Sequence, residues 1–101
     1  MFDKLGNLFE MQNKLKEMQE ALRQRQVEAS TGGGMVKVTA NGLNEILSVQ
    51  IDEELINMKD KAILEDLVTA AVNEVQRKVK DLAQEEMVKL TGGLKIPGLF
   101  P

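Results

Sequence analysis

Between residues 8 and 22, apolar side chains recur at alternating steps of three and four: Leu8, Met11, Leu15, Met18 and Leu22. That spacing draws one stripe along an α-helix, and the Gln, Lys, Glu and Asn between the stripe positions suit a solvated face. The pattern predicts a helix over about 3–25, with Asp3 as its N-cap and Gly6 as a weak point in the first turn. Arg25 occupies the next stripe position, so the seam stops there. The period then falls from 3.6 to 2. "QVEAS" (Gln26 to Ser30) sets Val27 and Ala29 on one face of a short strand. "MVKVTA" sets Val36, Val38 and Ala40 against Met35, Lys37 and Thr39, and "LNEILSVQI" groups Leu47, Val49 and Ile51.

Asn41-Gly42 separates the last two strands, and Asn-Gly is the strongest short hairpin signal because a type I′ turn needs positive φ at both central residues. A two-residue loop pairs Ala40 with Leu43 and Val36 with Leu47. The same register places Glu45 opposite Val38 on the apolar face, so a longer loop stays open as an alternative. Asp52 is placed to cap a short helical turn through "EELIN". From about Asp60 a second long stripe begins, Val68, Val72, Val75, Val79 and Leu82, after which Ala83, Met87 and Leu90 carry the apolar face around. Valine is a poor helix former, so packing must hold this seam helical. Thr91-Gly92-Gly93 is the expected stop, which makes the helix roughly 45 Å long. Such a helix is too long to be covered by one small sheet. The apolar tail, about 91–101, is broken by Pro97 and Pro101 and is expected to be loose or docked on a neighbour. The predicted order is α-β-β-β-α, an α+β fold in one domain spanning 1–101.

Gly32-Gly33-Gly34 raises the question of a phosphate cradle. A P-loop leads into a helix through Gly-Lys-Ser/Thr, whereas this run leads into a strand and lacks that sequel. The dinucleotide fingerprint fails as well, since Lys37 stands where its third glycine belongs. The run is read as a turn or bulge between strands.

Composition narrows the chemistry further. The 101 residues contain no His and no Cys, which removes imidazole and thiol catalysis, disulfides and the usual zinc ligand sets. The only aromatics are three Phe, so the core must be aliphatic, and a thin core in a small chain favours completion by a second subunit. No apolar run approaches the roughly 18 residues of a membrane span, and no signal-peptide pattern opens the chain; the expected compartment is the cytoplasm. The carboxylates Asp52, Glu53 and Glu54, then Glu65-Asp66 and Glu85-Glu86, show no calcium-loop spacing. They read as solvated faces, and Asp52, Glu53, Glu65 and Asp66 also suit helix starts. The sequence supports no enzyme, no cofactor, no metal and no small-molecule substrate.

Net charge is −3, but the acidity sits in the middle of the chain. Residues 1–30 are neutral in sum, 31–59 carry −2, 60–75 carry −3, and 76–101 carry +2. The first helix ends at the sheet and the last one leaves from it, so the early half of one and the late half of the other project outward. Lys14, Lys16, Arg77, Lys78, Lys80 and Lys89 lie on those halves. They read either as ordinary solubilising charge or as contacts to phosphates.

Three stretches taken in order, "GGGMVKVTANG" (Gly32 to Gly42), "VQIDEELI" (Val49 to Ile56) and "DKAILEDLVTAAVNEVQRKV" (Asp60 to Val79), resemble the YbaB/EbfC family of bacterial nucleoid-associated DNA-binding proteins. The Gln- and Met-rich opening helix and the "GGLKIPG" tail extend the resemblance over nearly the whole chain. It implies a tweezer-like α+β homodimer that binds double-stranded DNA with limited sequence preference through its projecting helices. Catalysis and cofactors are not implied. On this reading Lys14, Lys16, Arg77, Lys78, Lys80 and Lys89 touch DNA. Val36, Val38, Leu47, Val49, Ile51, Val68, Val72, Val75, Val79 and Leu82 build the core and dimer contact. The rival reading is an acidic helical adaptor that holds a protein partner with its seams and apolar tail.

Overall fold

The computed structural model describes residues 2–90, with side chains from residue 6 onward. The elements run α1 (Phe2–Gln24), β1 (Gln26–Thr31), β2 (Val36–Asn41), β3 (Ile46–Ile51), α2 (Glu53–Asn57) and α3 (Lys61–Leu90). This is the α-β-β-β-α order read from the hydrophobic pattern, with the short helix after Asp52 added. The strands form one antiparallel sheet in the order β1-β2-β3. The expected helix stop at Thr91-Gly92-Gly93 and the tail lie outside the described residues.

The sheet is built around β2, where Val36, Val38 and Ala40 are buried on one face. Opposite them in register stand Thr31, Ala29 and Val27 of β1. Helix α3 lies across this face and brings Ala71, Val75 and Val79 into the same cluster as Ala29 and Leu55. Alanines at 29, 40 and 71 keep helix and sheet close, so the valine seam is held by tertiary packing despite its low helix propensity. Two polar contacts fix α3 along β1. The Thr31 hydroxyl donates to the Leu67 carbonyl at 2.7 Å, and the Lys78 ammonium donates to the Glu28 carbonyl at 2.6 Å.

Gly32-Gly33-Gly34 turns β1 into β2. All three glycines have positive φ, from 62° to 94°, and the turn closes through Gly34 N–H to the Thr31 carbonyl. Side chains rarely adopt a run of left-handed residues, which is the physical reason for three glycines in a row.

The β2–β3 connection corrects the two-residue hairpin. Val36 pairs with Ile51 and Val38 with Val49, not with Leu47 and Glu45, and a β-bulge interrupts the ladder at Thr39/Ala40. The loop is longer because the buried Asn41 organises it with its own side chain. Its Oδ1 accepts from Leu43 N–H and Glu45 N–H, its Nδ2 donates to the Glu45 carboxylate, and Asn44 takes the positive φ. Glu45 thereby leaves the apolar face.

Two helix-start expectations are also corrected. α1 already begins at Phe2, so Asp3 lies inside the helix. The first turn of α3 carries no acidic residue; Asp60 caps it by accepting from Ile63 N–H, and Glu65 and Asp66 fall one turn later. Asp52 does cap α2, with its carboxylate accepting from Glu54 N–H at 2.9 Å.

Candidate nucleic-acid interface

Beyond the sheet, α3 runs antiparallel beside α1 and the two form an arm. The molecule measures 67 Å along its longest axis against 24 and 16 Å across. At the base of the arm, Leu22 is buried and its carbonyl accepts from Gly42 N–H at 2.8 Å. Arg25, the residue between α1 and β1, reaches across to α3. Its guanidinium donates to Glu86 Oε1 at 2.9 Å and lies 3.6 Å from Glu85 Oε2. Farther out, Lys14, Glu17 and Met18 of α1 line a groove with Glu86, Lys89 and Leu90 of α3. Leu90 is the last described residue, and α1 continues past it with Leu8, Met11 and Leu15 bare.

The six basic residues named from charge position are all exposed on this arm or at its root, but they do not share one face. Lys14 and Lys89 meet in the α1–α3 groove, with Glu17 and Glu86 between them. Lys16 is two residues from Lys14, about 200° around the helix, and points elsewhere. Arg77 and Lys80, three apart, share the outer side of α3. Lys78 is spent on the β1 carbonyl, Arg77 pairs with Glu74, and Lys89 lies 3.4 Å from Glu86. Lys14, Lys16 and Lys80 have no ion pair or hydrogen bond among the described residues. Charge counting missed Arg25: it marks only the end of the α1 stripe in sequence, and its acidic partners lie sixty residues away.

The dimer and core residues also divide. Val36, Val38, Val75, Val79 and Leu82 are buried, and Val68 and Val72 pack partly against the core. Leu47, Val49 and Ile51 are exposed, Val49 by 47%. They sit on the face that α3 covers over β1 and β2, but the helix does not extend over β3. Ile46 at the bulge, with Ile56 and Met58 beyond the strand, enlarges the exposed apolar area.

No group of three His, Cys, Asp or Glu able to hold a metal ion occurs among the described residues. No described helix is long and apolar enough to cross a membrane. What the arm offers is exposed cationic side chains on two long helices.

The family model of the YbaB/EbfC DNA-binding family matches residues 1–94, which include the sheet and both helices of the arm. The chain belongs to the YbaB/EbfC DNA-binding family. Among curated relatives, a nucleoid-associated protein of Thermoanaerobacter pseudethanolicus is 50% identical over 91 residues, covering 90% of this chain and 82% of the relative. A nucleoid-associated protein of Syntrophobacter fumaroxidans is 46% identical over 98 residues, covering 97% and 89%. The crystal structure of an uncharacterized protein from Helicobacter pylori superposes with a TM-score of 0.79 at 28% identity, over 91% of this chain and 98% of that one. The YbaB/EbfC fold thus places its DNA-binding family name on a sheet with a two-helix arm, and the arm carries the exposed bases described above.

Proposed function

We propose that this chain is a non-enzymatic, single-domain protein that binds double-stranded DNA as a homodimer and associates with the bacterial nucleoid. The family match along residues 1–94 carries the reading. The arm supplies the chemistry: Lys14, Lys16 and Lys80 contact phosphates directly, while Arg77, Lys78 and Lys89 exchange their present carboxylate and carbonyl partners for phosphate oxygens. Phosphate contacts position a protein without reading bases, which gives a limited sequence preference. The net charge of −3 is compatible with this because the acidic excess lies in residues 31–75, away from the outer arm.

The second copy covers β3. Leu47, Val49 and Ile51 extend the face on which the buried core is built, and α3 stops short of them. An identical face from another chain closes such a surface by two-fold symmetry. Two arms then project from one central β region, and a duplex touches both.

A salt series of anisotropy titrations on a labelled duplex of arbitrary sequence tests this. With about six phosphate contacts, log affinity falls against log salt with a slope near −5. A flat dependence, or no binding at low salt, overturns the proposal.

A further inference from the structure

β1 is an edge strand, since the sheet runs β1-β2-β3. Backbone bonds at the end of β2 alternate in direction. Gly42 N–H donates to the Arg25 carbonyl on the β1 side, and Asn41 N–H donates to the Glu45 carbonyl on the β3 side. Carried along the ladder, that alternation spends the peptide groups of Val27, Ala29 and Thr31 on Ala40, Val38 and Val36. The peptide groups of Gln26, Glu28 and Ser30 therefore turn to the open edge, and the side chains of these three residues are exposed as well. Lys78 stands at the middle of that edge: it reaches down from α3 and donates from Nζ to the Glu28 carbonyl at 2.6 Å. A lysine laid on an edge strand is a barrier to strand addition.

We propose that the β1 edge is a second self-association surface, which takes β1 of another copy, and that Lys78 keeps it shut until DNA draws the ammonium away. The release step rests on the DNA-binding reading above, which gives Lys78 to a phosphate. A phosphate oxygen is ionised, and so accepts from an ammonium more strongly than a neutral carbonyl does. The pairing chemistry of β1 suits a second copy. A two-fold axis through Ala29 sets Glu28 opposite Ser30 of the second copy, and each such pair exchanges the N–H···O bonds that both residues turn outward. Centring the axis on Glu28 would oppose two carboxylates, which disfavours that register. β1 and β3 lie at opposite sides of the sheet, so this contact leaves the apolar face of β3 to the dimer. Copies side by side on one duplex hold their β1 edges at high effective concentration, and assembly follows DNA binding.

Sedimentation velocity without DNA tests the guard. Lys78→Ala should at least double the weight-average mass relative to the unmodified protein, whereas Lys78→Arg keeps a donor and should leave it unchanged. Adding Ser30→Glu to Lys78→Ala puts a carboxylate opposite Glu28 of the second copy and should return the mass to the unmodified value. Adding Glu28→Lys as well makes that pair opposite in charge and should restore the larger mass. An unchanged mass for Lys78→Ala, or a larger one indifferent to Ser30→Glu, overturns the proposal. If Lys78→Ala fails to fold, DNA titrations of proteins that keep Lys78 decide. On a duplex long enough for many copies, the unmodified protein should bind with a Hill coefficient above unity. Ser30→Glu should bring it to unity, and Ser30→Glu with Glu28→Lys should raise it again. Equal Hill coefficients for the three proteins overturn the proposal. A duplex that holds one molecule separates the two readings: no binding to it at low salt overturns the DNA reading and with it the release step, and the DNA-free masses then decide the guarded edge alone.

Discussion

The amide of Gly42 donates to the carbonyl of Leu22 at 2.8 Å, and a β carbon on Gly42 would meet that same oxygen at 2.5 Å. The last turn of α1 is therefore capped by the β2–β3 loop, at a distance that only glycine permits. Gly42→Ala forces backbone against backbone, since Leu22 Cα also lies 2.9 Å from the added atom. Overpacking of this kind costs about 1–3 kcal/mol, and the expected site of damage is the root of the arm. Urea unfolding should show the loss, and hydrogen exchange should place it in the last turns of α1. Gly33→Asn is the contrast: that position has φ of 66° but open space around it, and Asn tolerates the left-handed region. It should cost well under half as much.

Arg25 and Glu86 hold the other side of that joint. The Glu86 side chain is only 11% exposed and takes both Arg25 and, at 3.4 Å, Lys89. The Arg25 side chain is 43% exposed, so solvent screens the pair and its coupling is expected near the upper end of the surface range, about 1 kcal/mol. A double-mutant cycle with Arg25→Ala and Glu86→Ala measures it directly. The coupling should shrink as salt rises, and it should be seen in exchange of α1 amides more than of β2 amides. Equal protection of both elements in all four proteins would contradict a clamp at the arm.

The hairpin shows what was legible in sequence and what was not. Alternation in 36–40 and 47–51 marked the strands and their apolar faces correctly, because period-2 patterning is local. The register was misplaced by four residues, and Val36 meets Ile51 rather than Leu47. An even shift leaves every side chain on its proper face, so the face assignment survived the error. The Asn-Gly signal misled because Asn41 is buried, with its carboxamide bonded to Leu43, Glu45 and the Glu45 carboxylate, while Gly42 is used by α1. The role of Gly42 depends on a helix ending nearly twenty residues earlier. The arm followed a similar rule. Projection of both helices was legible from element order, whereas the partners of Lys78 and Arg25 come from distant strands and helices.

Exposure along the sheet separates two valines that look alike in sequence. Val38 and Val49 face each other across β2 and β3, yet Val38 has no exposed surface and Val49 is 47% exposed. Val38→Asp places a carboxylate in the core and should abolish cooperative folding, since an unpaired buried charge costs several kcal/mol. Val49→Asp should leave the helical circular dichroism signal intact while halving the mass seen by sedimentation equilibrium. If the proposed dimer binds a duplex with both arms, the resulting monomer has one arm, and affinity should fall by about 10²-fold or more as avidity disappears. A Val49→Asp protein that stays dimeric would move the subunit contact away from β3.

Lys78 and Lys80 are two residues apart and occupy different situations. Lys78 Nζ is bonded to the Glu28 carbonyl at 2.6 Å, bridging α3 to β1, whereas Lys80 has no partner among the described residues. Lys80→Ala should therefore leave the melting temperature unchanged and lower the magnitude of the salt slope by about 1, the share of a single neutralised phosphate. Lys78→Ala removes a charge-assisted hydrogen bond and should lower stability by about 1 kcal/mol as well. Lys78→Gln retains a donor and should recover part of the stability without recovering the slope. Melting curves and salt titrations of the three variants, run on one duplex, separate the structural contribution from the phosphate contribution at each position. Unchanged slopes for Lys80→Ala and Lys78→Ala alike would take the outer half of α3 out of the proposed DNA interface and leave that proposal to α1, where Lys14 and Lys16 become the residues to replace.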